Sequence, residues 1–203
     1  MSEIMVAGLD GMIDTVRVYD LDESVAASKF PMAVAPDADN SEITKRTVNL
    51  AQAEPGSGHD NFLQGIRIAF NIRLTAKCLV ELERYHFTDM VVDIVSCTST
   101  MHRISKFDLD SAYNDYTDKR IIGIMAELAE QYNANKTDEN YLRLLYSNPA
   151  GFEYTLRVTT NYRQLKTIYA QRKAHRLPEW RALCLWMETL PHSEFITGEA
   201  KDK

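Results

Sequence analysis

The stretch IRIAFNIRLTAKCLVELERY, residues 66–85, changes period in its middle. Ile66, Ile68, Phe70 and Ile72 alternate with Arg67, Asn71 and Arg73, the two-residue repeat of a half-buried strand. Thr75 then stands where a helix N-cap belongs, and the spacing predicts a helix to about Tyr85. A strand running into a helix with no loop between them requires a sheet with helices packed on it. It excludes an all-helical bundle and an all-β sandwich.

The rest of the chain agrees with that frame. MIDTVRVYDL (12–21) alternates at Ile13, Val16 and Val18 as a strand, and so does 153–160. SVAASKFPMAV reads as a short helix broken near Pro31. Residues 40–53 read as a helix with Ser41 as N-cap, ended by the breaker cluster EPGSG. FTDMVVDIVSC (87–97) fits strand or helix, and SCTSTMHRISKFD (96–108) reads as a loop. DSAYNDYTDKRIIGIMAELAEQYNA (110–134) predicts one long amphipathic helix, and Thr137 caps another to about Tyr146. NYRQLKTIYAQRKA and PEWRALCLWMETL predict the last two helices, the second with Pro178 in its first turn. The expected fold class is α/β (α+β): a single domain over residues 1–203, a small mixed sheet packed by helices, and a disordered tail in the last few residues.

Composition narrows the function classes. A net charge of −6 argues against broad nucleic-acid binding. Cys78, Cys97 and Cys184 are far apart with no CxxC or Cys/His metal spacing, so reduced thiols of a cytoplasmic protein, and no metal, are expected. No basic segment precedes an apolar run at the N-terminus, and no apolar run reaches the roughly 18 residues of a membrane span. Walker, GxGxxG, HExxH, GxSxG and EF-hand signatures are missing.

What remains are two basic and amide-rich clusters. One is SGHDNF (57–62) with Arg84-Tyr85-His86, and the other is NYRQLKTIYAQRKAH (161–175). Asn161 and Arg163 fall at a strand-to-helix junction, where free N–H groups favour an anion. Arg163 and Arg172 are nine residues apart and do not share one helix face. Solvated helix faces account for the same charges without any site. Cys97 reads as an inert thiol, for no activating partner can be assigned to it. Trp180, Trp186 and Met187 read as core or subunit contacts, and His175 as either a ligand contact or a solvated helix end.

Taken in order, the motifs resemble those of the flavin-dependent thymidylate synthases. Gly58-His59 with Phe62 is similar to that family's Gly-His segment. The seventeen residues Phe70 to His86 match its strand-helix unit without a gap, which sets Arg84-Tyr85-His86 on the family's Arg-His-Arg. PAGFEYTLRVTTNYR and QLKTIYAQRKAHRLPEW resemble its later strand, its Asn-x-Arg and its arginine-bearing helix. The resemblance implies FAD bound by His59, Arg84, Tyr85, His86, Asn161 and Arg163. It implies Arg172 facing the pyrimidine of dUMP as the catalytic residue, with Glu81, Arg143, Ser99 and Arg103 at the substrate. NADPH and methylenetetrahydrofolate would be co-substrates, and the sites would form between subunits of a homotetramer.

The chain departs from the family at several points. Its triplet is Arg-Tyr-His, and the stretch after it is longer and lacks the NExSxRY pattern, so Ser96, Ser99 and Arg103 align ambiguously. Glu81 stands where a glutamine is common, and Leu145 where a phosphate-binding arginine is expected, with Arg143 two residues upstream. These departures leave two further functions open: a homologue acting on another pyrimidine nucleotide, or a non-catalytic homo-oligomeric binding protein.

Overall fold

The computed structural model describes residues 2–37, 39–54, 56–86 and 93–198. Its sheet contains β1 (Glu3–Val6), β2 (Ile13–Tyr19), β3 (Arg67–Thr75), β4 (Asp93–Cys97) and β5 (Glu153–Asn161) in the order β1-β2-β3-β5-β4. The α+β class holds, but every described pairing is antiparallel, where a mixed sheet was expected. The reason is connectivity. β5 inserts between β3 and β4 and runs opposite to both, so those two strands, parallel to each other, do not pair.

The helices are α1 (Leu21–Ala27), α2 (Lys45–Ala51), α3 (Ala76–Leu82), α4 (Thr100–Arg103), α5 (Lys119–Ala134), α6 (Asp138–Ser147), α7 (Tyr162–Arg172), α8 (Pro178–Met187) and α9 (Glu194–Thr197). β3 and β5 pair along their whole length, from Arg67 opposite Asn161 to Thr75 opposite Glu153. Each runs directly into a helix, β3 into α3 and β5 into α7. Since the strands are antiparallel, the two helices leave opposite ends of the sheet and fold back over one face. Their C-terminal ends converge, and that convergence builds the candidate site.

Local chemistry explains the boundaries. The Thr75 hydroxyl accepts from Cys78 N and starts α3, while Asn161 Oδ1 accepts from Gln164 N and starts α7. Thr137 caps α6 as expected, accepting from Asn140 N. Ser41 is not the cap of α2. Thr44 is, in a reciprocal pair with Thr47 that satisfies two otherwise free donors. The helix expected over 110–134 begins only at Lys119, where Asp118 caps it. Residues before it are drawn to the sheet instead. Asn114 N donates to Gly151 O, Glu153 N donates to Ala112 O, and Tyr113 bridges Phe152. A Cβ on Gly151 would meet Thr117 Oγ1 at 2.0 Å, so this close approach requires glycine. Residues 93–97 are a strand, and the expected loop after it contains α4 and a 3-10 turn, Ile104–Lys106. The assignment of 87–92 and of the C-terminal tail lies outside the described residues.

Two apolar clusters hold these elements. The larger packs Ile68, Phe70, Ile72, Leu156 and Val158 of the sheet against Leu165, Ile168, Trp180, Trp186 and Met187. The smaller gathers Ile104, Tyr113, Ile122, Met125, Leu144 and Phe152 beneath α5 and α6. Tyr154 packs against both. Trp180, Trp186 and Met187 are therefore core residues, as their helical spacing implied.

Candidate functional site

Where α3 and α7 converge, residues distant in sequence form one polar cluster under an aromatic roof. Arg172 Nη1 donates to Glu81 Oε2 at 3.0 Å, and Arg172 Nε donates to the Tyr85 hydroxyl at 2.8 Å. That hydroxyl donates in turn to Gln171 Oε1 at 2.9 Å. Trp180 Nε1 donates to Glu81 Oε2 at 3.2 Å. His175 Nε2 lies 3.4 Å from the same oxygen, and Lys77 Nζ lies 3.4 Å from Glu81 Oε1. The guanidinium carbon sits 4.8 Å from the Trp180 ring centroid and 5.5 Å from that of Tyr85, within cation–π range of both.

The side chains of Glu81 and Arg172 are each 16% exposed, so this pair is largely withdrawn from water. Burial alone would push the Glu81 carboxyl up. The hydrogen bonds from Lys77 and Trp180, together with the positive charge at His175 and Arg172, outweigh it and hold the carboxyl below its ordinary value. Arg172 also occupies the last turn of α7, where a cation is favoured by the helix dipole.

A second buried cluster lies at the other end of α7. Asp60 is 1% exposed, and Lys166 Nζ donates to its Oδ2 at 2.9 Å while Arg163 Nε stands 3.3 Å from its Oδ1. Lys166 also donates to Ala51 O and Ala53 O, at 2.8 and 2.6 Å. Arg163 and Lys166 are one turn apart and so face the same way. Asp60 was not recognised from the sequence. The available signal was its place directly after His59 in a polar segment, since an aspartate, if buried, needs a partner.

Placement of the expected site residues is therefore uneven. Arg172, Tyr85 and Glu81 come together. Asn161 caps α7, and Arg163 is paired with Asp60. His59 and Arg84 are exposed, Arg84 in the 3-10 turn Glu83–His86 that ends α3. The side chain of His86 lies outside the described residues. Ser99, Arg103 and Arg143 are exposed around α4 and α6, beside the smaller apolar cluster, and are not brought to Arg172. Among the described residues no hydrogen bond or ion pair holds Arg84, Arg103 or Arg143. Leu145 packs against the smaller cluster, so its side chain serves the core rather than a phosphate.

Tyr85 is 4% exposed and its hydroxyl faces Arg172. Glu81 is likewise turned onto Arg172. His175 is no free helix end, because it faces Glu81 and packs edge-on to Trp180 at 6.3 Å. Cys97 is exposed, and partial burial with the nearby Glu83 carboxylate raises its thiol pKa, in keeping with an inert thiol. Beside the Arg172 cluster a cleft of about 600 Å³ runs between the start of α3, the start of α5 and the start of α8. Lys77, which reaches Glu81, lines it together with Arg176 and Arg181. No helix among the described residues is long and apolar enough to cross a membrane.

The chain has the fold of the flavin-dependent thymidylate synthases, as its ordered motifs implied. Flavin-dependent thymidylate synthase ThyX from Helicobacter pylori, complexed with FAD and dUMP, is 16% identical with a TM-score of 0.62, over 90% of this chain and 95% of that one. The UMP/dUMP methylase PolB from Streptomyces cacaoi, bound with 5-Br dUMP, is 15% identical with a TM-score of 0.60, over 95% of this chain and 97% of that one. No family model matches the sequence, and no curated protein matches it.

Proposed function

We propose that this protein is a flavin-dependent thymidylate synthase-like enzyme that reductively methylates dUMP, acting as a cytoplasmic homotetramer with one domain per chain. In this reading methylenetetrahydrofolate provides the one-carbon unit. FAD, reduced by NADPH, supplies the hydride that completes the methyl group. Arg172 carries the reading: a guanidinium held in a fixed plane where α3 and α7 converge, in a fold shared with proteins that hold FAD and uracil nucleotides.

The chemistry suits that residue. As C5 of the pyrimidine becomes nucleophilic, negative charge grows on a ring carbonyl, and a pre-oriented guanidinium stabilises it without reorganising. His59 and Arg84, exposed basic side chains, would hold FAD together with Asn161, Arg163 and His86. An exposed arginine and an exposed histidine able to donate hydrogen bonds fit a ligand that carries a diphosphate. Arg143, Arg103 and Ser99 would reach the nucleotide phosphate from a neighbouring subunit, since on their own chain they lie away from Arg172.

Purified protein should show flavin absorbance, or gain it on titration with FAD, and should oxidise NADPH faster when dUMP is added. Colourless protein that takes up no FAD would sink the proposal. A second reading keeps the chemistry and widens the substrate to UMP or another pyrimidine nucleotide. It is favoured by the fold shared with a UMP/dUMP methylase. Thermal-shift profiles with dUMP, UMP and dCMP separate the two, and stabilisation by dUMP alone would remove the second.

A further inference from the structure

We infer that Glu81 and Tyr85 are positioning residues for Arg172 rather than ligands of substrate or flavin. The inference rests on the reading of Arg172 as the residue that faces the pyrimidine, and it assigns the two neighbours a role that the resemblance did not give them.

A guanidinium has five N–H donors in a rigid planar fork. Here Tyr85 takes the Nε hydrogen at 2.8 Å and Glu81 takes one on Nη1 at 3.0 Å. Among the described residues no hydrogen bond is made to Nη2. Two of the three nitrogens thus fix the plane and its rotation, and the third is left to donate outward. Trp180 and Tyr85 limit tilting of the plane from their ring positions at 4.8 and 5.5 Å.

The positioning residues are themselves held. Glu81 receives hydrogen bonds from Arg172 and Trp180 and is flanked by His175 and Lys77, so few lone pairs remain for a substrate. Its charge also opposes a nearby phosphate. Tyr85 is buried and spans from Arg172 to Gln171 through one hydroxyl, which makes its orientation a property of α7 as well as of α3. Both residues that depart from the family pattern here are turned toward one partner. Glu81 also makes the pair with Arg172 close to neutral, so the outward N–H edge acts by direction more than by net charge.

The test compares Tyr85→Phe, Glu81→Gln and Glu81→Ala with the wild-type protein. Each variant should keep its affinities for FAD and dUMP within about threefold, while kcat falls by roughly ten- to a hundredfold, since small misplacements of a reacting group cost that much. Glu81→Gln should retain more activity than Glu81→Ala, because an amide oxygen still accepts from Nη1. A rise in the FAD or dUMP dissociation constant with unchanged kcat would overturn the inference, and so would full activity in all three. The side-chain Nε–Hε NMR signal of Arg172, assigned through Arg172→Lys, gives a readout without turnover. It should be well dispersed in the wild type and collapse toward the position of a free arginine in Tyr85→Phe. Loss of that outcome refutes positioning, whereas wild-type protein that binds neither FAD nor dUMP refutes the proposed function alone.

Discussion

The basic residues of this chain fall into an inner and an outer set, and the contrast between them is instructive. The inner set, Arg172, Arg163 and Lys166, is fixed by Glu81, Tyr85 and Asp60 within one chain. The outer set, His59, Arg84, Arg103 and Arg143, is exposed. For the inner set, desolvation and side-chain ordering are settled when the chain folds. For the outer set they are settled only when a ligand or another subunit arrives. The inner set is therefore held in place by the fold itself, and the outer set is free to be ordered by what the proposed function brings to it.

Breaking the inner set should cost most. Asp60→Ala strands Lys166 and Arg163 beside a buried space, and should lower unfolding stability by about 3–5 kcal/mol in urea titrations. A loss below about 1 kcal/mol would show that the pair is no structural anchor. Next in size is Glu81→Gln, expected to cost about 1–3 kcal/mol near neutral pH. The folded carboxyl is held below its ordinary value of 4.5, so its contribution is full above that value and is lost as pH falls through the lower folded one. The stability gap between wild type and Glu81→Gln should accordingly close in acid, and a gap that widened there would reverse the assignment. The smallest effect belongs to the outer set. Arg84→Ala and Arg143→Ala should change stability by no more than about 0.5 kcal/mol. Yet Arg84→Ala should weaken FAD uptake and Arg143→Ala the binding of dUMP. If either destabilised the protein alone and bound normally, the division into inner and outer sets would fail.

Much of the frame was legible because periodicity carries it. β3, β5, α3 and α7 follow from the alternation at 66–74 and 153–160, from the cap Thr75 and from the strand-to-helix junction at Asn161. β1 was missed, for a strand of four residues carries almost no period. Residues 110–118 were read as helix on local pattern, and pairing with Gly151 and Glu153 overrode that preference. In the candidate site, Arg172 and Arg84 were legible as motif positions. The Glu81–Arg172 bond, spanning 91 residues, was not, nor was the buried Asp60.

The sequence by itself determined which segments become strands and helices and which residue types could bind anions or flat rings, because these depend on neighbours a few positions away. Only the tertiary structure decided which basic side chains are paired inside the protein and which stay exposed. That choice depends on where antiparallel strands send their helices. β3 and β5 launch α3 and α7 from opposite ends, and the ends that meet bring Glu81 and Tyr85 to Arg172. A carboxylate that looked like an obstacle to a phosphate in the sequence is, in the folded chain, bonded to the arginine.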